Sequence, residues 1–250
     1  MLEFVDKLAR SPASITAEDR EALRDAGVGS LETLQVVLGA AHFNYLNRVA
    51  DGLGIRLEYA SSLPDFAIEP RSAAPHPPSE ARVHAGSAPA PARSARDLSA
   101  RASGEPSNLL DALRENPEAR DIVREWRAHH FRGTPALGAR DRARIALHVA
   151  ALEGCGHSVL LHRTALEGMG DDPELLTALS AREAPPGLPR RDALLLGHAR
   201  RLALEPWTAR EEHVDELRRE GLGDAGVLQL TLLVAYQTFE DRVVLGLGIR

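Results

Sequence analysis

The chain has 250 residues, of which 44% are hydrophobic and 26% are charged, and its formal net charge is −6. These values are typical of a soluble globular chain of one or two domains with a sizeable core. Thirty basic residues against 36 acidic ones form no basic surface for a phosphate backbone. No apolar stretch is long enough for a transmembrane helix, and the opening MLEFVDKLAR does not resemble a secretory leader. We therefore expect a cytoplasmic protein that binds neither nucleic acid nor membranes.

The chain has one cysteine, Cys155, which excludes an internal disulfide and any metal site built from several cysteines. A zinc site on His157 and His162 is also disfavoured, because a spacing of five residues separates them by about 140° around a helix. We therefore expect no cofactor and no metal.

The first 56 residues carry signals for three helices. Thr16 and Asp19 form a capping-box pattern, and Gly27 is placed to end that helix. A longer helix is predicted from Ser30 to Gly52, where serine suits the start and glycine the end. Its apolar stripe at helical spacing consists of Leu31, Leu34, Leu38, Ala41, Tyr45 and Val49.

Helices also dominate the second half of the chain. Asn116 followed by Pro117 is typical of a helix start, and a further helix is predicted over 141–152. Gly154 interrupts this pattern, which resumes over 155–167. Because alternating strand patterns are missing, the sequence predicts an all-α fold.

Residues 66–106 have a different composition from the rest of the chain. This stretch is rich in proline, alanine, serine and arginine, a composition that cannot form a core. We interpret it as a linker between a first region, 1–65, and a second region, 107–250.

The sequence also contains an internal repeat, since residues 1–56 align without a gap on residues 195–250. Both copies end in the residues GLGIR, and proline, glycine, glutamine and arginine stay in register between them. Matching pairs include Leu8 and Leu202, Pro12 and Pro206, Gly27 and Gly221, Gln35 and Gln229, and Arg48 and Arg242. We interpret the repeat as a duplicated three-helix unit whose first copy lacks a counterpart of residues 107–190.

The residues most suited to chemistry surround Cys155. In the first turn of a helix, unpaired amides and the helix dipole favour a thiolate, which makes Cys155 a plausible nucleophile. Ser158 lies on the next turn, and Ser158 and His162 form an i,i+4 pair that can relay a proton from the thiol. His157 lies on a neighbouring face. The alternative interpretation is that Cys155 is a small buried hydrophobic residue with a raised pKa.

The run EGCGHSVLLH resembles the active-site helix of the alkylhydroperoxidase D and carboxymuconolactone decarboxylase superfamily. Its redox members carry Gly-Cys-x-x-Cys followed by histidine four residues later. The repeated unit, which ends in HFNYLNRVADGLG, is similar to the C-terminal half of the peroxidase-related members. The resemblance implies an alkylhydroperoxidase D-like helical bundle over 107–250 and the C-terminal half of a second such domain over 1–65.

The same resemblance assigns roles to individual residues. Cys155 matches the first family cysteine, His162 matches the family histidine, and Ser158 takes the place of the second cysteine. The family also implies a glutamate twelve residues before the first cysteine, where this chain has Ala143. Asp141 is the nearest acid to that position along the chain.

Three functions follow from these residues and the resemblance. The first is a thiol peroxidase that reduces a hydroperoxide through Cys155 and needs an external thiol, because the chain has no second sulfur. The second is a catalytically silent helical domain that supplies an assembly surface. The third is a non-redox enzyme like the lactone-decarboxylating branch. The family resemblance also implies a homo-oligomer.

Overall fold

The computed structural model describes residues 1–55, 107–132 and 136–249. In these residues 79% are helical and none lies in a strand, so the prediction of an all-α fold is confirmed. None of the helices in these ranges is long and apolar enough to cross a membrane. The predicted linker, 66–106, lies outside the described residues.

Eleven α-helices occupy the described ranges. The N-terminal unit, residues 1–55, consists of α1 (Leu2–Arg10), α2 (Ala17–Asp25) and α3 (Ser30–Leu53). A central group contains α4 (Ser107–Ala112), α5 (Pro117–Arg132), α6 (Ala139–Glu153), α7 (Gly156–Gly168) and α8 (Pro173–Ser180). The C-terminal unit consists of α9 (Arg190–Leu204), α10 (Glu211–Arg219) and α11 (Asp224–Leu247).

Local sequence signals explain several helix ends. The Thr16 side chain accepts a hydrogen bond from the Asp19 backbone amide and so begins α2 as predicted. The Asn116 side chain accepts one from the Ala119 amide at the start of α5. Gly154 ends α6 with a φ of 76°, a left-handed conformation that favours glycine. The Gly154 cap fixes where the helix before the cysteine ends.

Helix α3 differs from its prediction in two respects. It ends at Leu53 with Gly54 in the left-handed conformation, so Gly52 does not terminate it. The buried stripe is also displaced: Leu31 is exposed, whereas Val37 and Arg48 are buried. The reason is that α3 packs along another long helix, α11, which covers Val37, while Arg48 is buried against Glu153 of α6 and the Ala203 carbonyl of α9.

The two repeated units have matching helix boundaries. Helices α2 and α3 begin and end 194 residues before α10 and α11, and α1 ends 194 residues before α9. A short 3₁₀ turn, Pro12–Ser14 in the first unit and Pro206–Thr208 in the second, keeps the same offset. The alignment of 1–56 on 195–250 therefore has a counterpart in the backbone.

Contacts between α3 and α11 are reciprocal. A Cβ atom placed on Gly52 would lie 2.7 Å from Thr231 and 3.0 Å from Leu202 side-chain atoms. A Cβ atom on Gly246 would lie 2.9 Å from Val37 and 3.3 Å from Leu8. Gly246, Val37 and Leu8 are the repeat equivalents of Gly52, Thr231 and Leu202, 194 positions apart in each case. The end of each helix therefore meets the start of the other, so the two helices run antiparallel about a local twofold axis.

Two hydrophobic clusters form the core. The first lies within residues 137–234 and contains Leu176 and Leu202. The second joins the N-terminal unit to α11 through residues such as Leu8, Val37 and Tyr236, and it also contains Cys155. The cysteine thus lies in the part of the core that the two repeated units build together.

Candidate functional site

Cys155 lies in the tight turn between α6 and α7, where it is the N-cap residue of α7. The Gly154 conformation makes this turn, and it places the thiol under α11. Cys155 is 0% exposed. Its Sγ lies 3.3 Å from Ser158 Oγ, one turn further along α7, and Ser158 is also fully buried. The sequence therefore placed the serine beside the sulfur correctly, by simple helix periodicity.

A buried carboxyl group from α11, Asp241, faces this pair. Burial raises its pKa well above the usual range, and the neighbouring Glu153 and Glu240 raise it further. Ser158 and Gln237 act in the opposite direction by hydrogen bonding. Gln237 Nε2 donates to Asp241 Oδ1 over 2.9 Å, whereas Oδ2 has no well-formed hydrogen bond.

The thiol at Cys155 is also shifted toward its neutral form. Burial raises the pKa of the thiol well above its usual value, and the Asp241 carboxylate raises it further. Hydrogen bonding to Ser158 lowers this pKa by less than the other effects raise it. The direction is that of a buried cysteine, so the expected preference for thiolate at a helix start is outweighed.

His162 connects to the carboxyl group and not to the serine. Its Nε2 lies 2.9 Å from Gln237 Oε1. Because the Gln237 amide nitrogen donates to Asp241, its oxygen is free to accept a hydrogen bond from His162. The predicted relay from Ser158 to His162 is therefore replaced by a chain that passes through Gln237 to Asp241.

His162 is neutral at ordinary pH. Burial lowers the pKa of His162 to about 3, and the nearby Arg127 and His157 contribute in the same direction. Its ring stacks on Phe131, with 5.4 Å between the ring centroids. The Arg127 guanidinium lies 4.6 Å from the centre of the other ring, Phe131, and forms a buried ion pair with Glu240. These contacts fix the orientation of the histidine ring.

The remaining predicted site residues lie in two places. His157 is half-buried on α7, close enough to His162 to influence its pKa. Asp141 is in the first turn of α6, where it accepts a hydrogen bond from the Gly138 amide and pairs with Arg191 at 2.7 Å. Since α6 runs for about 18 Å between this turn and its end near the cysteine, Asp141 is not the acid beside Cys155.

Three residues at the site were missed in the sequence: Gln237, Asp241 and Glu153. Glu153 immediately precedes the turn of Cys155 and forms buried ion pairs with Arg48 and Arg242. The available signal was a polar run, Glu240–Asp241–Arg242, in the middle of an apolar helix, where charged residues are costly unless they have partners. Within the described ranges, no group of three or more histidine, cysteine, aspartate or glutamate side chains is arranged to hold a metal ion.

Comparison with known proteins identifies the fold. No family model matches the sequence, and no curated protein matches it either. One solved structure with a similar helical fold is that of an uncharacterized peroxidase-related protein from Silicibacter sp. TM1040, with 22% sequence identity and a TM-score of 0.53. The match covers 57% of this chain and 74% of that chain. At this identity the likeness concerns the fold alone.

Proposed function

We propose that this chain is a thiol peroxidase that reduces hydroperoxides through Cys155 alone, as an alkylhydroperoxidase-like enzyme. The single observation that carries the proposal is the placement of Cys155 Sγ 3.3 Å from Ser158 Oγ, next to the buried carboxyl group of Asp241. A thiol and a carboxyl group with a raised pKa are a nucleophile and a proton acceptor in contact. The peroxidase-related fold agrees with this chemistry.

The proposed reaction begins from the ionised form of Asp241, whose carboxylate accepts the thiol proton. The thiolate then attacks the terminal oxygen of the hydroperoxide, so that an S–O bond forms and the O–O bond breaks. The leaving alkoxide takes the proton from Asp241, which yields an alcohol and a sulfenic acid on Cys155. A carboxyl group with a raised pKa suits both steps, because it is a stronger base than an ordinary carboxylate.

Other side chains in the network position Asp241. Gln237 holds one carboxyl oxygen at 2.9 Å, and the neutral His162 ring holds Gln237 in turn. This arrangement leaves the second carboxyl oxygen for the thiol and the Ser158 hydroxyl. We therefore assign Asp241 as the base and then the acid, and Gln237 and His162 as positioning residues.

Regeneration of the thiol needs an external reductant, because Ser158 stands where a second sulfur would resolve the sulfenic acid. One external thiol displaces water from the sulfenic acid to form a mixed disulfide, and a second thiol releases Cys155. The sum is one hydroperoxide and two thiols converted to alcohol, water and a disulfide. A cytoplasmic location, where small thiols are abundant, and a homo-oligomeric state belong to the same proposal.

Trapping of the sulfenic acid tests the proposal. The full chain is treated with one equivalent of hydroperoxide and then with dimedone, and the peptide containing Cys155 is examined by mass spectrometry. We expect the dimedone adduct in the wild-type chain and in Asp141→Asn, whose carboxyl group lies at the other end of α6. The adduct should be strongly reduced in Asp241→Asn. An unmodified Cys155 in the folded wild-type chain would overturn the proposal.

The complete burial of Cys155 favours a second candidate, a catalytically silent helical domain. In that case the cysteine is a small core residue and Asp241 is a structural member of the buried network. Cys155→Ala would then leave every reaction with hydroperoxide unchanged, whereas the peroxidase proposal expects it to abolish that reaction.

A further inference from the structure

The N-terminal unit contacts the two residues that precede the thiol, Glu153 and Gly154. Glu153 pairs with Arg48 of α3. A Cβ atom on Gly154 would lie 2.7 Å from the Cβ of Ala13, so the 3₁₀ turn of the N-terminal unit packs directly against this glycine. Cys155 belongs to the hydrophobic cluster that the N-terminal unit shares with α11. The N-terminal unit thus packs against the turn that carries the thiol.

Glu153 lies between two arginines that are equivalent in the repeat. Arg48 Nη2 is 3.6 Å from Glu153 Oε1, and Arg242 Nη1 is 2.9 Å from Glu153 Oε2. Both arginines also bridge the units, because Arg48 donates to the Ala203 carbonyl at 2.8 Å and Arg242 donates to the Ala9 carbonyl at 3.3 Å. We call Arg48, Glu153 and Arg242 the Glu153 cluster.

The Glu153 cluster links the two repeated units through ion pairs. All three side chains are buried, so none of them can exchange its partner for water while the units stay together. Burial lowers the pKa of Arg48 to about 9, which still leaves it charged at neutral pH. If Arg48 is lost, the remaining ion-pair partner of Glu153 is Arg242 of the C-terminal unit.

We propose that the N-terminal unit is a built-in cover for Cys155, which reagents and substrates reach only when this unit separates from the Glu153–Cys155 turn. The Glu153 cluster sets how often that separation occurs. The basis is that the thiol is 0% exposed and that Ala13 and Arg48 of the N-terminal unit contact the two residues before it. This inference goes beyond the peroxidase proposal and does not depend on it, because it concerns access of any thiol reagent.

Cys155 is the one cysteine of the chain. The rate at which the thiol reagent N-ethylmaleimide labels the protein therefore measures access to this residue. The experiment compares labelling rates of the full wild-type chain, Arg48→Met and Leu176→Ala at a temperature well below unfolding. Leu176 is a matched control, since it is fully buried in the other hydrophobic cluster. We expect labelling about tenfold faster, or more, in Arg48→Met, and a much smaller change in Leu176→Ala at equal loss of thermal stability.

Hydrogen exchange of the wild-type chain keeps the proposal testable if Arg48→Met does not fold. The amides of α1 to α3 should then exchange together, and faster than those of α11, if the N-terminal unit separates as a body. Labelling of the native wild-type chain as fast as the unfolded chain would overturn the proposal. Equal acceleration in Arg48→Met and Leu176→Ala would overturn it too, since labelling would then require global unfolding.

These measurements separate the two proposals. If Arg48→Met is labelled rapidly but gives no sulfenic acid with hydroperoxide, the peroxidase proposal fails and the cover remains. If sulfenic acid forms in the wild-type chain at the same rate as in Arg48→Met, the peroxidase proposal stands and the cover fails.

Discussion

Helices α3 and α11 have the same length and pack against each other at equivalent positions. Only α11, however, carries the candidate chemistry. Gln237, Glu240 and Asp241 are buried on α11. The equivalent positions on α3 are Phe43, Leu46 and Asn47, all of them exposed; Phe43 is 67% exposed and Leu46 is 43% exposed. In contrast, the positions that contact the partner unit match, as Arg48 with Arg242 and Gly52 with Gly246.

The difference follows from what each helix packs against. Helix α11 lies between α3 and the α6–α7 pair, so its polar residues are buried against the cysteine turn. Helix α3 packs on α11 with one side, while none of the described residues buries Phe43 on the other. The two repeated units thus share one backbone fold but differ in role. Both contribute to the interface between them, whereas only the C-terminal unit supplies the buried carboxyl group.

The largest loss of stability is expected when the shared carboxylate between the units is removed. Glu153→Gln leaves Arg48 and Arg242 buried without a counter-charge, which should lower the free energy of unfolding by about 3–5 kcal/mol. Urea denaturation measures this loss. The control is Glu21→Gln, which removes one partner of the exposed ion pair with Arg24 and should cost less than about 1 kcal/mol. Equal losses in the two variants would mean that the buried Arg48 and Arg242 side chains do not need the counter-charge of Glu153.

Acid is expected to destabilise the fold through its buried histidines. Burial lowers the pKa of His162 to about 3 and those of His130, His148 and His198 to about 4. The unfolded chain binds these protons below pH 6.5 while the folded chain does not, so stability falls as pH decreases from 6.5 toward 4. Each histidine contributes about 1.4 kcal/mol per pH unit in that window.

The raised pKa values of Asp241 and Glu240 act in the opposite direction. The folded chain holds these two protons at pH values where the unfolded chain has lost them, so they stabilise the fold as pH decreases. Because four histidines oppose two carboxyl groups, we expect a net loss of stability, measured as the denaturation midpoint at pH 7 and pH 5. His148→Gln should flatten this dependence, and the exposed His129→Gln serves as its control. An unchanged midpoint would contradict the assignment.

The local twofold relation predicts a pair of matched, smaller effects. Gly52→Ala places a methyl group against Thr231 and Leu202, and Gly246→Ala places one against Val37 and Leu8. Each should lower the free energy of unfolding by about 1–3 kcal/mol through overpacking. The two losses should agree closely when measured by urea denaturation. A large loss in one variant and none in the other would show that the two contacts are not equivalent.

The smallest effect is expected on the exposed side of α3. Phe43→Ser changes a side chain that is mainly in solvent, so the free energy of unfolding should change by less than about 0.5 kcal/mol. Gln237→Ser at the equivalent position of α11 should cost more, because it removes hydrogen bonds to His162 and Asp241. Similar losses in a thermal melt would contradict the difference between the two faces.

Local signals in the sequence predicted the helices well. Thr16, Asn116 and Gly154 act within a few residues of where they stand, so the ends they cap follow from the sequence. The start of α3 at Ser30 was also predicted, but its buried stripe was not. Val37 is buried under α11, and Arg48 is buried against Glu153 and Ala203, so the burial of both depends on residues far away along the chain.

The candidate site was predicted only in part for the same reason. The neighbours Cys155 and Ser158 lie one turn apart on α7, so periodicity brings them together. Asp241 and Gln237 come from a different helix, and helix periodicity alone does not place them beside the thiol. Asp141 was chosen because it is the acid nearest to Ala143 along the chain, whereas the acid that raises the pKa of the thiol comes from α11.

The rate at which hydroperoxide oxidises Cys155 in Asp241→Asn tests most directly whether α11 supplies the chemistry. Oxidation is followed by loss of the titratable thiol in the full chain, with Asn47→Ala at the equivalent position of α3 as the control. We expect Asp241→Asn to react about a hundredfold more slowly than the wild-type chain, and Asn47→Ala to react at the wild-type rate. Equal rates in the wild-type chain and Asp241→Asn would contradict the role of Asp241 as the proton acceptor.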